Sequence, residues 1–193
     1  MARKINPVPK GYHTSTPVLV VQDAAAAIEF YCEVFGAKEL SRLVSDDGLT
    51  ILRSELKIGN SVILLNDEMP AYGILSPASL GGASTALQLY LPELDAVWAR
   101  AVKAYSYVLL PLEDAYWGER TGKLIDPFGH VWILSKKTEV LSQEEIKKRA
   151  ALISPLAFGQ DNNENASVQN SEQLSPSGQD AVPIIDIAMA LNG

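Results

Sequence analysis

The chain has 193 residues, 47% of them hydrophobic, with 16 Lys and Arg against 23 Asp and Glu, two His and one Cys. That length suits one domain with a sizeable core, and a net charge of −7 without a basic cluster argues against nucleic acid or an anionic membrane as partner, since both are gripped by grouped cations that release counterions. Cys32 has no second thiol to bridge, no apolar run approaches the ~18 residues of a membrane span, and the leading Met-Ala-Arg-Lys-Ile-Asn-Pro lacks the apolar core of a signal peptide, so a cytoplasmic location is expected.

In chain order, residues 14–21 carry the β-branched run Val18-Leu19-Val20-Val21 between Pro17 and Gln22-Asp23, which predicts a strand. Asp23 is a natural helix N-cap; Ala24, Ala27, Ile28, Tyr31 and Phe35 then recur at helical spacing, and Gly36 supplies a stop. A strand over 38–44, the turn Ser45-Asp46-Asp47-Gly48, a long strand over 49–58, the hairpin pair Gly59-Asn60 and a strand over 61–66 complete a βαβββ unit. The order then repeats: a strand over 86–91, a helix over 93–105, a strand over 107–113, a long strand over 117–125, the turn Asp126-Pro127-Phe128-Gly129, and a strand over 130–135. Asp23 falls on Glu93 and Gly59 on Gly129 at one offset of 70, which reads as a tandem duplication without gaps. The second helix has Ser106 after Tyr105 where the first has Gly36, so it lacks a glycine for a left-handed cap.

Between the modules, residues 67–85 hold Pro70, Gly73, Pro77, Gly81 and Gly82, an irregular linker. Ser142-Gln143-Glu144-Glu145 is a capping box that should open a helix to about residue 153, docked on the globule. Residues 154–193 are expected to form a flexible tail. Beyond Phe158 it carries Asp161, Glu164, Glu172, Asp180 and Asp186 and no basic residue, which leaves 16 basic against 18 acidic residues in the rest of the chain. Its apolar end, residues 181–191, is a candidate docking peptide.

The doubled βαβββ pattern, Val20-Val21-Gln22-Asp23 through Phe30-Tyr31 with Phe35-Gly36-Ala37 in the first half, and Asp126-Pro127-Phe128-Gly129-His130 in the second, resembles the vicinal oxygen chelate superfamily. That group includes glyoxalase I, extradiol dioxygenases and bleomycin- and fosfomycin-resistance proteins. The stretch Glu113-Asp114-Ala115-Tyr116-Trp117-Gly118-Glu119-Arg120-Thr121-Gly122 is similar to its PhnB-like branch. The resemblance implies an α+β fold over residues 10–153, with modules 14–67 and 86–137 forming a paired, cupped mixed sheet, and a homodimer that takes a small-molecule ligand.

Enzymes of this group hold a divalent metal in the cup, with His or Gln from each opening strand and Glu from each closing strand. Those positions fall here on Thr16, Ala86, Ile63 and Ile133, a set unsuited to a cation that needs imidazole or carboxylate donors, so no metal cofactor is expected. Gln88 shares the face of Ala86, and His13 lies just ahead of the opening strand. With Tyr116, Trp117, Glu119 and Arg120, the most polar and aromatic stretch of the second module, these form the candidate ligand-binding set. Arg53 and Glu55 share a strand face and suggest a surface ion pair; His130 suggests a turn-stabilising or solvated role; Cys32 suggests a packed small hydrophobe. Two other readings stand beside this one: a metal-dependent lyase or dioxygenase using His13, Gln88 and Glu119, and an interaction protein acting through its C-terminal peptide.

Overall fold

The structure, a computed structural model, describes residues 6–157, and the chain up to Val140 forms one compact unit. Strand β1 (Val18–Val21), helix α1 (Ala24–Phe35) and strands β2 (Lys38–Val44), β3 (Ile51–Ile58) and β4 (Ser61–Asp67) make the first module. A 3-10 turn at Pro70–Tyr72 and the short helix α2 (Pro77–Leu80) lie within the linker. Strand β5 (Ala86–Tyr90), helix α3 (Leu94–Lys103) and strands β6 (Tyr107–Ala115), β7 (Glu119–Ile125) and β8 (Val131–Lys137) make the second. Each module is a four-stranded mixed sheet, ordered β1-β4-β3-β2 and β5-β8-β7-β6, in which the first strand runs parallel to the fourth and the rest are antiparallel. This is the paired βαβββ fold that the sequence implies.

Local chemistry explains the elements. The Asp23 carboxylate accepts the Ala26 amide at 2.9 Å, and Asp67, at the end of β4, accepts the Ala24 amide at 2.7 Å, so two acidic groups satisfy the positive end of α1. Gly36 closes the helix at φ +67. Strand β1 starts four residues later than the sequence suggests. Pro17 has no amide to donate to a ladder, although its carbonyl still accepts the Leu64 amide at 2.8 Å.

Each sheet turns one face to the helices. Leu19, Leu65 and Ser54 lie in one cross-strand row on that face and are at most 4% exposed, while the neighbouring row of Val18, Leu64, Glu55 and Ser41 faces outward. In the second sheet Leu87, Trp132, Leu124, Leu134 and Gly122 are on the helix side. Gly122 is fixed there by crowding, since a Cβ on it would come within 2.6 Å of the Trp98 ring.

The modules join at a seam built on α1. Phe30, Tyr31 and Phe35 pack against Phe128 and Trp132 of the second module with ring centroids 4.7 to 6.1 Å apart. Inside this cluster the Asp126 carboxylate accepts the Tyr31 hydroxyl and the Trp132 indole N–H, both at 2.7 Å, and the amides of Phe128 and His130, both at 2.9 Å. Burial pushes the Asp126 carboxyl upward against these donors and the nearby His130. His130 is itself buried, its ring nitrogen 3.0 Å from the Val20 carbonyl, so it ties the turn to β1 of the other module. Arg100 of α3 donates twice to the Val34 carbonyl in the last turn of α1, at 3.2 and 3.0 Å.

The single offset of 70 holds only as far as the helix starts. Helix α3 is two residues shorter than α1, and Tyr105, at φ +64, takes the left-handed position that Gly36 holds, an offset of 69. Cross-strand partners place Lys123 of β7 where β3 has Glu55, an offset of 68, and Ile133 of β8 where β4 has Leu64, an offset of 69. Small gaps at the helix end, between β6 and β7, and at the last turn therefore separate the modules. Lys123 matches Glu55 rather than Arg53, and Ile63 points into the core, 4% exposed.

Helix α4 (Gln143–Ala157) belongs to a second unit that begins at Leu141. Its capping box is formed: the Ser142 hydroxyl accepts the Glu145 amide at 3.2 Å, and the Glu145 carboxylate accepts the Ser142 amide at 2.8 Å. The tail beyond residue 157, with its candidate docking peptide, lies outside the described residues.

Candidate functional site on the outward face of the second module

Strand alternation puts Gln88, Ile133, Lys123 and Leu110 in one row across the outward face of this sheet, and Tyr90, Ser135, Thr121 and Glu113 in the next. Two short hydrogen-bonded chains cross these rows. Gln88 donates through Nε2 to Ser135 Oγ at 3.0 Å, and the Ser135 and Thr121 hydroxyls share a proton at 2.7 Å. Beside them, the Tyr90 hydroxyl and the Trp117 indole N–H donate to the two oxygens of Glu119, at 3.1 and 3.0 Å. Burial, followed by the Glu119 carboxylate, raises the Tyr90 phenol above its usual range. Tyr116 stands edge-on to Trp117, centroids 4.8 Å apart, and the Lys137 ammonium donates to the Trp117 carbonyl at 3.4 Å.

Of the six residues picked out from sequence, Gln88, Tyr116, Trp117 and Glu119 gather on or beside this face. Arg120 does not. One residue on from Glu119, it projects to the helix side, where Nε and Nη2 donate to Asp95 in the first turn of α3 at 3.1 and 3.0 Å, and Nη1 lies 3.6 Å from Asp114. The exposed His13 precedes β1 in a non-strand segment; its carbonyl accepts the Thr16 hydroxyl at 3.3 Å, and its ring joins none of the bonds on this face. Sequence reading missed Tyr90, Ser135 and Thr121. The signal that finds them is the parity of Gln88 and Glu119, followed across the sheet.

The corresponding face of the first module is arranged differently. Arg53 pairs with Glu55 at 3.3 Å. A hydrogen bond from Tyr12, ahead of the contribution from Arg53, holds the Glu55 carboxyl below its ordinary range. The N-terminal segment thus engages the charged pair on its own sheet.

A divalent metal fits this arrangement poorly. The opening-strand positions are Thr16 and Ala86, and the closing-strand positions facing outward are Leu64 and Ile133: one hydroxyl and three hydrocarbon side chains. Among the described residues no three of His, Cys, Asp and Glu come together as a cation site.

Comparison with known proteins agrees with the fold. The Glyoxalase/Bleomycin resistance protein/Dioxygenase superfamily profile matches residues 13–134. The uncharacterized protein Rv0887c of Mycobacterium tuberculosis is 38% identical over 135 residues, covering 68% of this chain and 79% of its own. The uncharacterized Arabidopsis thaliana protein At5g48480 is 30% identical over 129 residues, covering 64% of this chain and 77% of its own. Its crystal structure superposes with a TM-score of 0.51 over 64% of this chain and 98% of that one, at 27% identity. The Pseudomonas aeruginosa protein PA1353 shares the fold at a TM-score of 0.53, with 18% identity over 65% of this chain and 98% of its own. With its two βαβββ modules and this match across most of both, the chain belongs to the Glyoxalase/Bleomycin resistance protein/Dioxygenase superfamily.

Proposed function

We propose that this chain binds a small organic molecule on the outward face of its second module, by shape and hydrogen bonding rather than through a metal ion. The observation that carries this reading is the pair of side-chain chains, Gln88-Ser135-Thr121 and Tyr90-Glu119-Trp117, on a face that is otherwise apolar at Ala86, Val131, Ile133 and Ile125. A face of hydrocarbon with a few oriented polar groups is the usual composition of a small-molecule site. Glu119 orients Tyr90 and Trp117 as two walls, and the hydroxyl chain offers the directional contact. The superfamily's own description, which joins glyoxalase, bleomycin resistance protein and dioxygenase, supports this choice of ligand size.

Amide chemical-shift mapping with a fragment library tests the reading. Shifts should cluster at residues 86–90, 117–121 and 131–135, and Trp117→Ala or Glu119→Gln should weaken the binding that produces them at least ten-fold. Shifts confined to the first module would overturn the site. The metal-free part is tested separately: chelator treatment should leave fragment affinity and melting temperature unchanged. The chain is also proposed to pair as a homodimer. Leu40, Leu43, Val44, Tyr107 and Leu109 on β2 and β6 are exposed apolar side chains that a second copy would cover, and sedimentation equilibrium reads this directly.

A further inference from the structure

The duplicated architecture permits a comparison of equivalent positions, and one of them stands out. In the middle of the outward face, the first module has Glu55 and the second has Lys123, each on the third strand of its module and each flanked by a hydrocarbon of the fourth, Leu64 and Ile133. Glu55 is neutralised within the chain by Arg53 and Tyr12. Lys123 is half-buried between Ile133 and Leu110, and among the described residues it takes part in no ion pair or side-chain hydrogen bond. The nearest acidic groups on that face are otherwise disposed: both oxygens of Glu119 accept protein donors, and Glu113 sits exposed on the outer strand opposite Thr121.

The same face carries a pair of hydroxyls with a proton to spare. Ser135 and Thr121 have two hydroxyl protons between them and one shared bond; Ser135 is wholly buried and already accepts from Gln88, so when it donates to the part-exposed Thr121 the Thr121 proton is the one left for a ligand. Lys123 and Thr121 are two apart on β7 and therefore project from the same face. A cation and a hydroxyl donor two residues apart on one strand face, in a border of Ile133, Leu110 and Ile125, match an acceptor that has two oxygens, one full charge and an apolar body.

Resting on the binding site proposed above, we infer that the ligand is a small monocarboxylic acid whose carboxylate is held by Lys123 and the Thr121 hydroxyl, which the buried Ser135 orients, with its hydrocarbon part lying on Ile133 and Leu110 toward Tyr90. A single ammonium suits one carboxylate better than a doubly charged phosphoryl group, which draws on several cations.

The test uses 4-phenylbutyrate and its uncharged isostere 4-phenylbutyramide as probes, titrated into the full chain and followed by amide shifts at Gln88, Thr121 and Ser135. The acid should bind at least ten-fold tighter than the amide. Lys123→Met should bring the two within two-fold, whereas Lys57→Met, which removes an exposed cation from the first module's face, should leave the preference intact. Should Lys123→Met not fold, Lys123→Gln and the wild-type comparison carry the same test. Acid and amide binding equally in the wild type, with shifts at these three residues, would overturn the carboxylate assignment and leave the binding face standing. No shift at these residues from either probe would overturn both. An acid preference that survives the loss of Lys123, or tighter binding of phenylphosphonate, would remove Lys123 or the carboxylate class from the proposal.

Discussion

The Tyr31 phenol shows how much can rest on one side chain. It is fully buried, and both burial and the Asp126 charge it faces raise its pKa well above 10.0. The folded chain therefore keeps a proton that the unfolded chain gives up near pH 10, so the resulting stability is complete below that pH and is lost as the pH climbs through the folded value. Tyr31→Phe should cost about 1 to 3 kcal/mol at neutral pH, because Asp126 loses one of its donors. It should also flatten the fall in stability as the pH rises above about 10, read from urea midpoints. Gly129 is constrained from outside its own turn. Its φ is +87 and a Cβ would stand 2.9 Å from Pro77 Cβ of the linker, so Gly129→Ala should cost at least about 2 kcal/mol, and denaturant titration measures it. The linker's Pro77 thus sets the residue at a turn 52 positions away.

At the level of elements, the two helix-to-strand junctions make a natural experiment. The first module uses Gly36-Ala37. The second uses Tyr105, left-handed and 89% exposed, and Ser106, whose buried hydroxyl has no partner among the described residues. Both choices work against stability, the first by about 1 to 2 kcal/mol of backbone strain and the second by burying an unsatisfied polar group. The double substitution Tyr105→Gly with Ser106→Ala should raise stability by about 2 kcal/mol without changing the m-value in urea. Sequence alone signals that something is missing after the second helix, because no glycine stands there. It does not reveal that a tyrosine takes the same conformation, since the left-handed region is locally unfavourable for a residue with a Cβ and is imposed here by the path of the chain from α3 into β6. Helix and strand identities are legible within the two modules, because Asp23, Gly36 and the β-branched runs carry local physics, but the short helix α2 lies in a linker that the sequence marks only as irregular chain. The limits of β1 and β7 are less so, as Pro17 and the Trp117-Gly118 turn shorten strands whose side chains still look suitable.

Across the whole molecule, the seam makes two modules fold as one. Arg100→Met should leave the Val34 carbonyl without its charged donors and cost about 1 kcal/mol. Unfolding should nevertheless remain a single transition by both far-ultraviolet circular dichroism and fluorescence, since the aromatic cluster and Asp126 still join the halves. The duplication and the superfamily fold were readable from the order of elements. The candidate face was readable only in part. Gln88, Trp117 and Glu119 stand out as polar or aromatic residues in an apolar stretch, but Arg120 shares that stretch and projects to the opposite side, which alternation decides and composition does not. Lys123 was concealed by the uniform offset of 70, because one residue is lost at the end of the second helix and another between Leu110 and Lys123. The three indoles add a practical consequence. Trp132 is wholly enclosed at the seam with its N–H on a carboxylate, whereas Trp117 is 37% exposed at the rim of the candidate face. Emission from the first shifts to longer wavelength when the halves part, and emission from the second responds to whatever settles beside it. Single-tryptophan variants would therefore give separate optical gauges of cohesion and occupancy, with no label attached.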